Sequence, residues 1–346
     1  MGGFMGSIGI LTGGGDCPGL NAVIRAIVKK AEDAGKSCVG ILEGWRGMIE
    51  GETMPLDTAS TGDMVASGGT ILGTSRTNPF KREGAVEAIK ENFSKLDLEV
   101  LIAIGGDDTL GVAARLFEEE ALPTVGVPKT IDNDLPGTDF TFGFDTAVNI
   151  ATEAVDRIHT TAKSHRRCIV VETMGRHVGW IAAYTGVASG ADVVLVPEKP
   201  IDVDKVAEIL KRNRSRGKEY NVVVVSEGAQ FQPGDYVSKA GEVDEFGNVR
   251  LGGVGVVLAD LIEDKTGYET RTVVLGHIQR GGAPSTFDRI LATRFGLKAA
   301  ELALERDYGK MVALRGNRID VVPIKECLTG VKALDDEFVA LTEAFS

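Results

Sequence analysis

Short runs of apolar and β-branched residues recur along the chain and alternate with segments of helical spacing. Each run ends at glycine, proline or a polar residue, which is typical of a buried β-strand. Because these runs are apolar almost throughout, they favour parallel sheets that helices cover on both faces. The predicted strands are residues 7–12, 37–42, 100–105, 124–128, 168–173, 193–198 and 221–228.

The segment at residues 146–164 has the clearest helical pattern between the strands. Its apolar residues, including Val148, Ala151 and Val155, recur at intervals of three and four. Strands that alternate with such segments predict an α/β fold with doubly wound, Rossmann-like sheets. Many of the 44 glycines stand where a predicted strand ends, which is where these sheets bind ligands.

Chain length and charge narrow the class of protein. The 346 residues exceed what one hydrophobic core usually serves, so we expect two domains. A net charge of −12 argues against a general nucleic-acid or anionic-membrane binder. The chain has no basic leader and no apolar stretch of membrane-spanning length, and its four dispersed cysteines are typical of reduced thiols. We therefore expect a cytoplasmic protein. The polar, glycine-containing residues 228–250 predict a surface hairpin or loop.

Two glycine-rich turns each follow a predicted strand and precede a helical segment. They read GGGDCPGLN at residues 13–21 and GGDD at residues 105–108. Such turns present backbone N–H groups to an anion such as phosphate, although a turn that only needs positive φ would explain the glycines nearly as well. Neither turn is a P-loop, because no Lys-Ser/Thr pair follows the glycines. The second turn carries two adjacent carboxylates, Asp107 and Asp108.

The loop at residues 128–140, PKTIDNDLPGTDF, concentrates acidic side chains. Asp132, Asp134 and Asp139 lie close together in sequence, and each carboxylate raises the free energy of ionising the next. A divalent cation, or a substrate proton to be abstracted, would relieve that repulsion. The loop therefore predicts a functional site.

Arginines stand beside other glycine turns in this acidic chain. The segments are LGTSR (72–76), SHRR (164–167), MGR (174–176) and ETRTVVLGHIQRGG (269–282). Arginine binds phosphate through two parallel hydrogen bonds, so these positions are typical of phosphate clamps. A surface salt bridge explains any single arginine equally well, but it does not explain the set.

Together these motifs resemble the phosphofructokinase family. The segments GGGDCPGLN, LGTSR, GGDD, TIDND, SHRR, MGR, SEG and ETRTVVLGHIQRGG occur in that family's order and spacing from residue 8 to about 306. The resemblance implies two similar α/β domains with the active site in the cleft between them. Residues 1–143 plus 279–306 would form the diphosphate and Mg²⁺ domain, and residues 144–278 plus 307–346 the fructose 6-phosphate domain.

The resemblance also implies individual roles. Asp132 would take the proton from the sugar 1-hydroxyl, Asp107 and Asp134 would hold Mg²⁺, and Arg76 and Arg176 would face the transferring phosphoryl group. The implied diphosphate-binding residues are Gly14, Gly106, Asp107 and Thr109. The implied substrate-binding residues are Thr130, Ile131, Asp132, Arg167, Met174, Gly175, Arg176, Glu227, Arg271, His277, Ile278, Gln279 and Arg280, with His277 and Arg280 at the 6-phosphate. In the homodimer or homotetramer that the family forms, Arg167 and Arg271 would serve the neighbouring subunit's site.

Asp108 and Lys129 indicate which phosphoryl donor the protein uses. In the family's ATP-using members both positions are glycine, whereas Asp with Lys is the pattern of its pyrophosphate-dependent members. A carboxylate at Asp108 would stand where a nucleotide's α-phosphate lies. At about 4 Å and an effective dielectric constant of roughly 20, two such charges repel by about 4 kcal/mol, or about three decades in affinity. Lys129 would add positive charge beside a short inorganic donor.

The predicted activity is therefore reversible, Mg²⁺-dependent phosphoryl transfer from diphosphate to fructose 6-phosphate. One alternative is an ATP-dependent 6-phosphofructokinase that tolerates Asp108. A second is another kinase with a similar glycine turn, such as an NAD or lipid kinase, against which MGR and GHIQRGG argue. A third is a catalytically inactive sugar-phosphate or nucleotide sensor, which the presence of Asp132 disfavours.

Overall fold

The computed structural model describes residues 6–232 and 253–344, so most of the predicted loop at 228–250 lies outside the described residues. The strands are β1 (Ser7–Thr12), β2 (Cys38–Ile41), β3 (Thr53–Leu56), β4 (Leu98–Gly105), β5 (Thr124–Pro128), β6 (Cys168–Thr173), β7 (Val193–Leu195), β8 (Asn221–Ser226), β9 (Thr270–Val274), β10 (Lys310–Arg315) and β11 (Arg318–Pro323). The helices are α1 (Leu20–Asp33), α2 (Trp45–Glu50), α3 (Thr58–Thr61), α4 (Ala85–Lys95), α5 (Asp107–Glu120), α6 (Phe144–His165), α7 (Trp180–Ser189), α8 (Val203–Ser215), α9 (Val254–Thr266), α10 (Thr286–Glu305) and α11 (Asp336–Glu343). All the predicted strands and the predicted helix are present, so the α/β fold class is confirmed.

The chain divides into two compact units. The first unit consists of the residues up to Thr146 together with Arg280–Gly330. The second unit consists of Ala147–Gln279 together with the residues from Val331 onward. The first unit's sheet has the order β11-β10-β5-β4-β1-β2-β3. Its inner strands are parallel, as predicted, whereas β3 and β11 are antiparallel to their neighbours. Side chains such as Leu101, Ala103 and Leu110 form part of its core.

The strands β10 and β11 correct the predicted domain boundary. Residues 307–330 were expected in the second domain, but they belong to the first unit. The physical reason is strand pairing: Lys310 and Met311 of β10 lie beside Val125 and Gly126 of β5 in parallel register. The hairpin therefore completes the first unit's sheet.

The second unit has a parallel four-stranded sheet with the order β7-β8-β6-β9. The strands β6 and β8 lie at its centre and are buried along their whole length. Side chains such as Val170, Val223 and Leu258 form part of its core. No helix among the described residues is both long enough and apolar enough to cross a membrane.

Asp288 joins the start of α6 to the start of α10. It is fully buried near the start of α10, where Ser285 caps the helix. Its Oδ2 atom accepts hydrogen bonds from the backbone N–H of Thr146 at 2.8 Å and from the Thr146 hydroxyl at 2.5 Å. Burial raises the pKa of this carboxyl to about 6, in spite of those hydrogen bonds.

This pKa predicts a pH-dependent contribution to stability. Because the folded-state pKa lies above the ordinary value of 3.8, the folded state binds the proton more tightly. The contribution is therefore complete below about pH 4 and is lost as the pH rises through 6. Relative to Asp288→Asn, we expect the native chain's free energy of unfolding to fall by about 1.4 kcal/mol between pH 5 and pH 7.5. Urea titrations of both proteins measure this difference, and a pH-independent difference would contradict the assignment.

Candidate active site

The glycine turn after β1 is held by close packing and by hydrogen bonds. A β-carbon at Gly13 would lie 2.5 Å from the Thr109 hydroxyl oxygen, so only glycine fits there. Gly14 has a φ of +79°. Its N–H donates to the Ser75 carbonyl at 3.0 Å, and its carbonyl accepts from the Thr74 hydroxyl at 2.6 Å. The predicted LGTSR segment therefore lies against the glycine turn.

The second glycine turn places two carboxylates at a helix N-terminus. Gly106 precedes α5, and Asp107 and Asp108 are the first two residues of the helix, both of them exposed. Negative charge is favourable there because of the helix dipole. The Thr109 side chain is buried and fills the space beside Gly105. Thr109 thus shapes both glycine turns.

Lys129 is a buried cation that joins the two turns. It follows β5 directly, and its N–H donates to the Gly105 carbonyl at 2.9 Å. Only 4% of the residue is exposed, and its Nζ atom donates to the Gly15 carbonyl. Burial lowers the pKa of this ammonium, whereas the nearby Asp16 and Asp107 oppose that shift.

Arg280 adds a second cation at the first turn. A β-carbon at Gly15 would lie 2.6 Å from its Nη1 atom, so the guanidinium rests against the glycine backbone. The positive charge of Arg280 lowers the pKa of Lys129 further. The resemblance implied that Arg280 binds the acceptor's 6-phosphate, and that role stays a prediction; in the structure Arg280 belongs to the first unit, as the glycine turns do. Two cations that converge on a glycine turn are suited to an anion such as a polyphosphate.

The acidic loop after Lys129 is organised by Asn133. This residue is 1% exposed and has a φ of +54°, and its side-chain oxygen accepts the Thr141 N–H at 3.1 Å. The Thr141 hydroxyl donates to the Thr130 carbonyl at 2.7 Å. Asp132 and Asp134 flank Asn133, and both are half-buried. The loop therefore presents these two carboxylates from a fixed backbone.

The third aspartate of the loop has a structural explanation. Asp139 accepts the backbone N–H of Gly316 through Oδ2 at 2.6 Å, and its own N–H donates to the Leu314 carbonyl at 2.8 Å. Both partners belong to the hairpin of β10 and β11 or to its turn. Asp139 therefore anchors the loop to the sheet. Ile131, which was expected at the substrate, is 5% exposed.

In the second unit, the MGR segment forms a tight bend after β6. Gly175 has a φ of +131°, and its carbonyl accepts from the Ser226 hydroxyl at 2.7 Å and from the Gly228 N–H at 3.0 Å. Between these two partners lies Glu227, whose N–H donates to the Thr173 carbonyl at 2.9 Å. The predicted residues Met174, Gly175, Arg176 and Glu227 are thus brought together.

Arg167 and Arg271 share one carboxylate. The guanidinium of Arg167 lies 2.7 Å from Oε1 of Glu269, and that of Arg271 lies 2.5 Å from the same atom. The hydrogen bond from Arg167 is the main reason why the pKa of Glu269 is lowered. Glu269 was not among the predicted site residues, although it opens the ETRTVVLGHIQRGG motif.

The turn after β9 contains both exposed and buried candidate residues. His277 and Ile278 are exposed, whereas Gln279 is fully buried. The Gln279 amide accepts the Met174 N–H at 3.3 Å and donates to the Gly276 carbonyl at 2.9 Å. It therefore connects the two segments on which the second unit's candidates lie.

The comparisons with known proteins agree with these motifs. The family model described as phosphofructokinase matches residues 7–303. The chain belongs to the phosphofructokinase family. This phosphofructokinase is 56% identical over 329 residues to a protein of Streptomyces coelicolor named pyrophosphate–fructose 6-phosphate 1-phosphotransferase, covering 95% of this chain and 96% of that one. It is 49% identical over 331 residues to a Mycobacterium leprae protein named ATP-dependent 6-phosphofructokinase, with 95% and 96% covered.

A solved structure extends the comparison to the fold. The phosphofructokinase of Saccharomyces cerevisiae is 29% identical, with a TM-score of 0.83. The match covers 99% of this chain and 50% of that one, so this phosphofructokinase spans half the length of the yeast chain.

Cys17 lies in the first glycine turn of this phosphofructokinase, where it is buried. It is 1% exposed, its Sγ atom lies 3.7 Å from the Phe142 carbonyl oxygen, and burial raises its pKa. Cys38, Cys168 and Cys327 are also buried, and burial raises the pKa of each to about 12. Thiolates, not thiols, are the nucleophiles.

We therefore expect the native protein to resist thiol reagents at pH 8. Titration with a chromogenic disulfide should detect almost no thiol in the folded protein and all four in denaturant. Activity should survive the same treatment. A fast-reacting thiol that disappears in Cys17→Ala would contradict this prediction.

Proposed function

We propose that this phosphofructokinase transfers a phosphoryl group reversibly from diphosphate to the 1-hydroxyl of fructose 6-phosphate, giving fructose 1,6-bisphosphate and phosphate. The observation that carries the proposal is that the glycine turn before α5 is followed by an exposed carboxylate, Asp108, and is bonded through the Gly105 carbonyl to Lys129, whose ammonium is buried. The names of relatives such as the Streptomyces coelicolor protein support the same donor.

Diphosphate is suited to the first unit because two cationic side chains lie close together there. Lys129 and Arg280 both approach the turn at Gly15, where a short, highly charged anion can contact both. Gly14 and Gly106 carry no side chain, so the backbone at both positions would let that anion approach closely. Asp108 would repel a third phosphate and thereby disfavour a nucleotide.

Magnesium is the metal that this donor set suits. Asp107 and Asp134 are hard oxygen ligands, and the described residues contain no group of three or more metal-binding side chains. Mg²⁺ is commonly held by one or two carboxylates together with substrate phosphates. When bound, it would neutralise charge on the phosphates.

Asp132 is the proposed general base. It would accept the proton of the sugar 1-hydroxyl while that oxygen bonds to phosphorus and the bridging bond of diphosphate breaks. Because phosphoryl transfer has a loose transition state, alignment and charge stabilisation do most of the work. We assign the stabilising charge to Arg76 and Arg176, and the positioning of the acceptor to Thr130, Met174, Gly175, Glu227 and His277.

Arg167 and Arg271 are proposed to bind the acceptor of a neighbouring copy in a homodimer or homotetramer. Their shared contact with Glu269 supports this assignment, because it holds two guanidinium groups at one place on the sheet edge. Two such groups are well suited to a phosphate dianion.

An ATP-dependent 6-phosphofructokinase is the second candidate, because the Mycobacterium leprae relative carries that name. Parallel assays with fructose 6-phosphate, Mg²⁺ and either diphosphate or ATP separate the two. Fructose 1,6-bisphosphate formed with diphosphate and little with ATP would support the proposal. Turnover with ATP alone would overturn the donor assignment, and no turnover with either would favour a sensor.

The proposed selection of diphosphate over ATP by Asp108 and Lys129, which we call the donor filter, is tested by removing both side-chain charges. In Asp108→Gly/Lys129→Gly we expect kcat/KM with ATP to rise at least tenfold and kcat/KM with diphosphate to fall by a similar factor, because a repulsive and an attractive charge are both lost. Asp97→Gly is the matched control, since it removes one carboxylate at a position whose φ of +49° suits glycine. Complete exclusion of ATP by the folded double variant would contradict the filter.

The general base is tested by Asp132→Ser. We expect kcat to fall about 10²- to 10⁴-fold while the KM for fructose 6-phosphate stays within about threefold, because only the proton acceptor is lost. Asp134→Ser, in the same loop, should instead raise the Mg²⁺ concentration that half-maximal activity requires. A near-normal kcat in Asp132→Ser would exclude this residue as the base.

A further inference from the structure

Gln279 is a buried amide whose two ends have different partners. None of the residue is exposed. Its Oε1 atom accepts the Met174 N–H at 3.3 Å, and its Nε2 atom donates to the Gly276 carbonyl at 2.9 Å. A group that accepts at one end and donates at the other is required at this position, and among uncharged side chains of this length only glutamine supplies both.

The two segments that the amide joins carry the acceptor-binding candidates of the second unit. Met174 begins the bend that continues through Gly175 to Arg176, and Gly276 immediately precedes His277. The far side of the bend is already fixed, because the Gly175 carbonyl accepts from Ser226 at 2.7 Å and from Gly228 at 3.0 Å. The Met174 side of the bend is held by Gln279.

We infer that Gln279 is a positioning residue for the sugar-phosphate acceptor, which sets the spacing of the bend at Met174 and the turn at His277 without touching the substrate. This inference rests on the proposed function. It differs from the role that the family resemblance implied for Gln279, which was direct contact with the acceptor. Full burial of the side chain and the use of both amide ends within the protein support positioning instead.

Removal of the Gln279 amide would leave two backbone groups of the second unit without a partner. An apolar side chain of the same length leaves the buried Met174 N–H and the Gly276 carbonyl without their partner. Buried polar groups are costly to leave unpaired, so the two segments would move until water or another group satisfied them. The acceptor site would then open while the donor site of the first unit remained intact.

The primary test compares the steady-state kinetics of Gln279→Met with those of the native enzyme, using diphosphate and fructose 6-phosphate. We expect the KM for fructose 6-phosphate to rise about tenfold or more, with the KM for diphosphate and kcat within about threefold. Asp192→Ala is the matched control. This buried carboxylate in the same unit accepts the Val222 N–H at 2.9 Å and the Asn213 amide at 3.0 Å, so its loss should lower stability without changing either KM.

Gln279→Glu supplies a readout that a purely structural role would not change. The introduced carboxyl matches the amide when protonated, because it can accept from Met174 and donate to Gly276. When ionised it can only accept. The ratio of the variant's KM for fructose 6-phosphate to the native value should therefore be near one at low pH and rise as the pH increases.

Each outcome distinguishes this inference from the proposed function. If the native enzyme does not use diphosphate, the proposed function fails before any variant is compared. If it does, and folded Gln279→Met keeps the native KM for fructose 6-phosphate, the positioning role is wrong. The role is also wrong if Asp192→Ala raises that KM equally. Should Gln279→Met fail to fold, a KM ratio of one for Gln279→Glu at every pH between 6 and 9 would overturn the inference.

Discussion

The burial of the Lys129 ammonium group is the physical constraint on which the first unit's candidate site depends. Taking a lysine out of water is costly, and burial lowers its pKa accordingly. The hydrogen bond to the Gly15 carbonyl offsets part of that cost, as do the nearby Asp16 and Asp107. A bound diphosphate would supply the remaining negative charge. Affinity for a small anion would follow from a charge that the protein's own groups compensate only in part.

Close packing around the glycines keeps that charge in place. Gly13 and Gly105 have no room for a β-carbon because the Thr109 side chain fills the space. A side chain at either position would push the two turns apart and disturb the approach of Lys129 to the Gly15 carbonyl. The glycines are therefore required by packing as well as by backbone conformation, which sequence alone left undecided.

Sequence patterns predicted the buried strands well because strands such as β6 and β8 are apolar along their whole length. The strands β3, β9, β10 and β11 were missed. β3, β9 and β11 lie at sheet edges and are partly exposed, so they have no continuous buried run. β10 is an inner strand, and its buried run is short, from Met311 to Leu314. The same limit explains the misplaced residues 307–330, because pairing between β10 and β5 joins positions far apart in the chain.

Sequence patterns named the charged candidates of the site but not the residues that hold them in place. Asp139 resembled its neighbours Asp132 and Asp134 in sequence, yet it anchors the loop to Gly316, a partner that only the folded chain brings close. Glu269 is a similar case. Surface ion pairs contribute little to stability, so its contacts with Arg167 and Arg271 matter less for folding than for holding two guanidinium groups together. Such supporting roles depend on distance in space and leave no pattern in sequence.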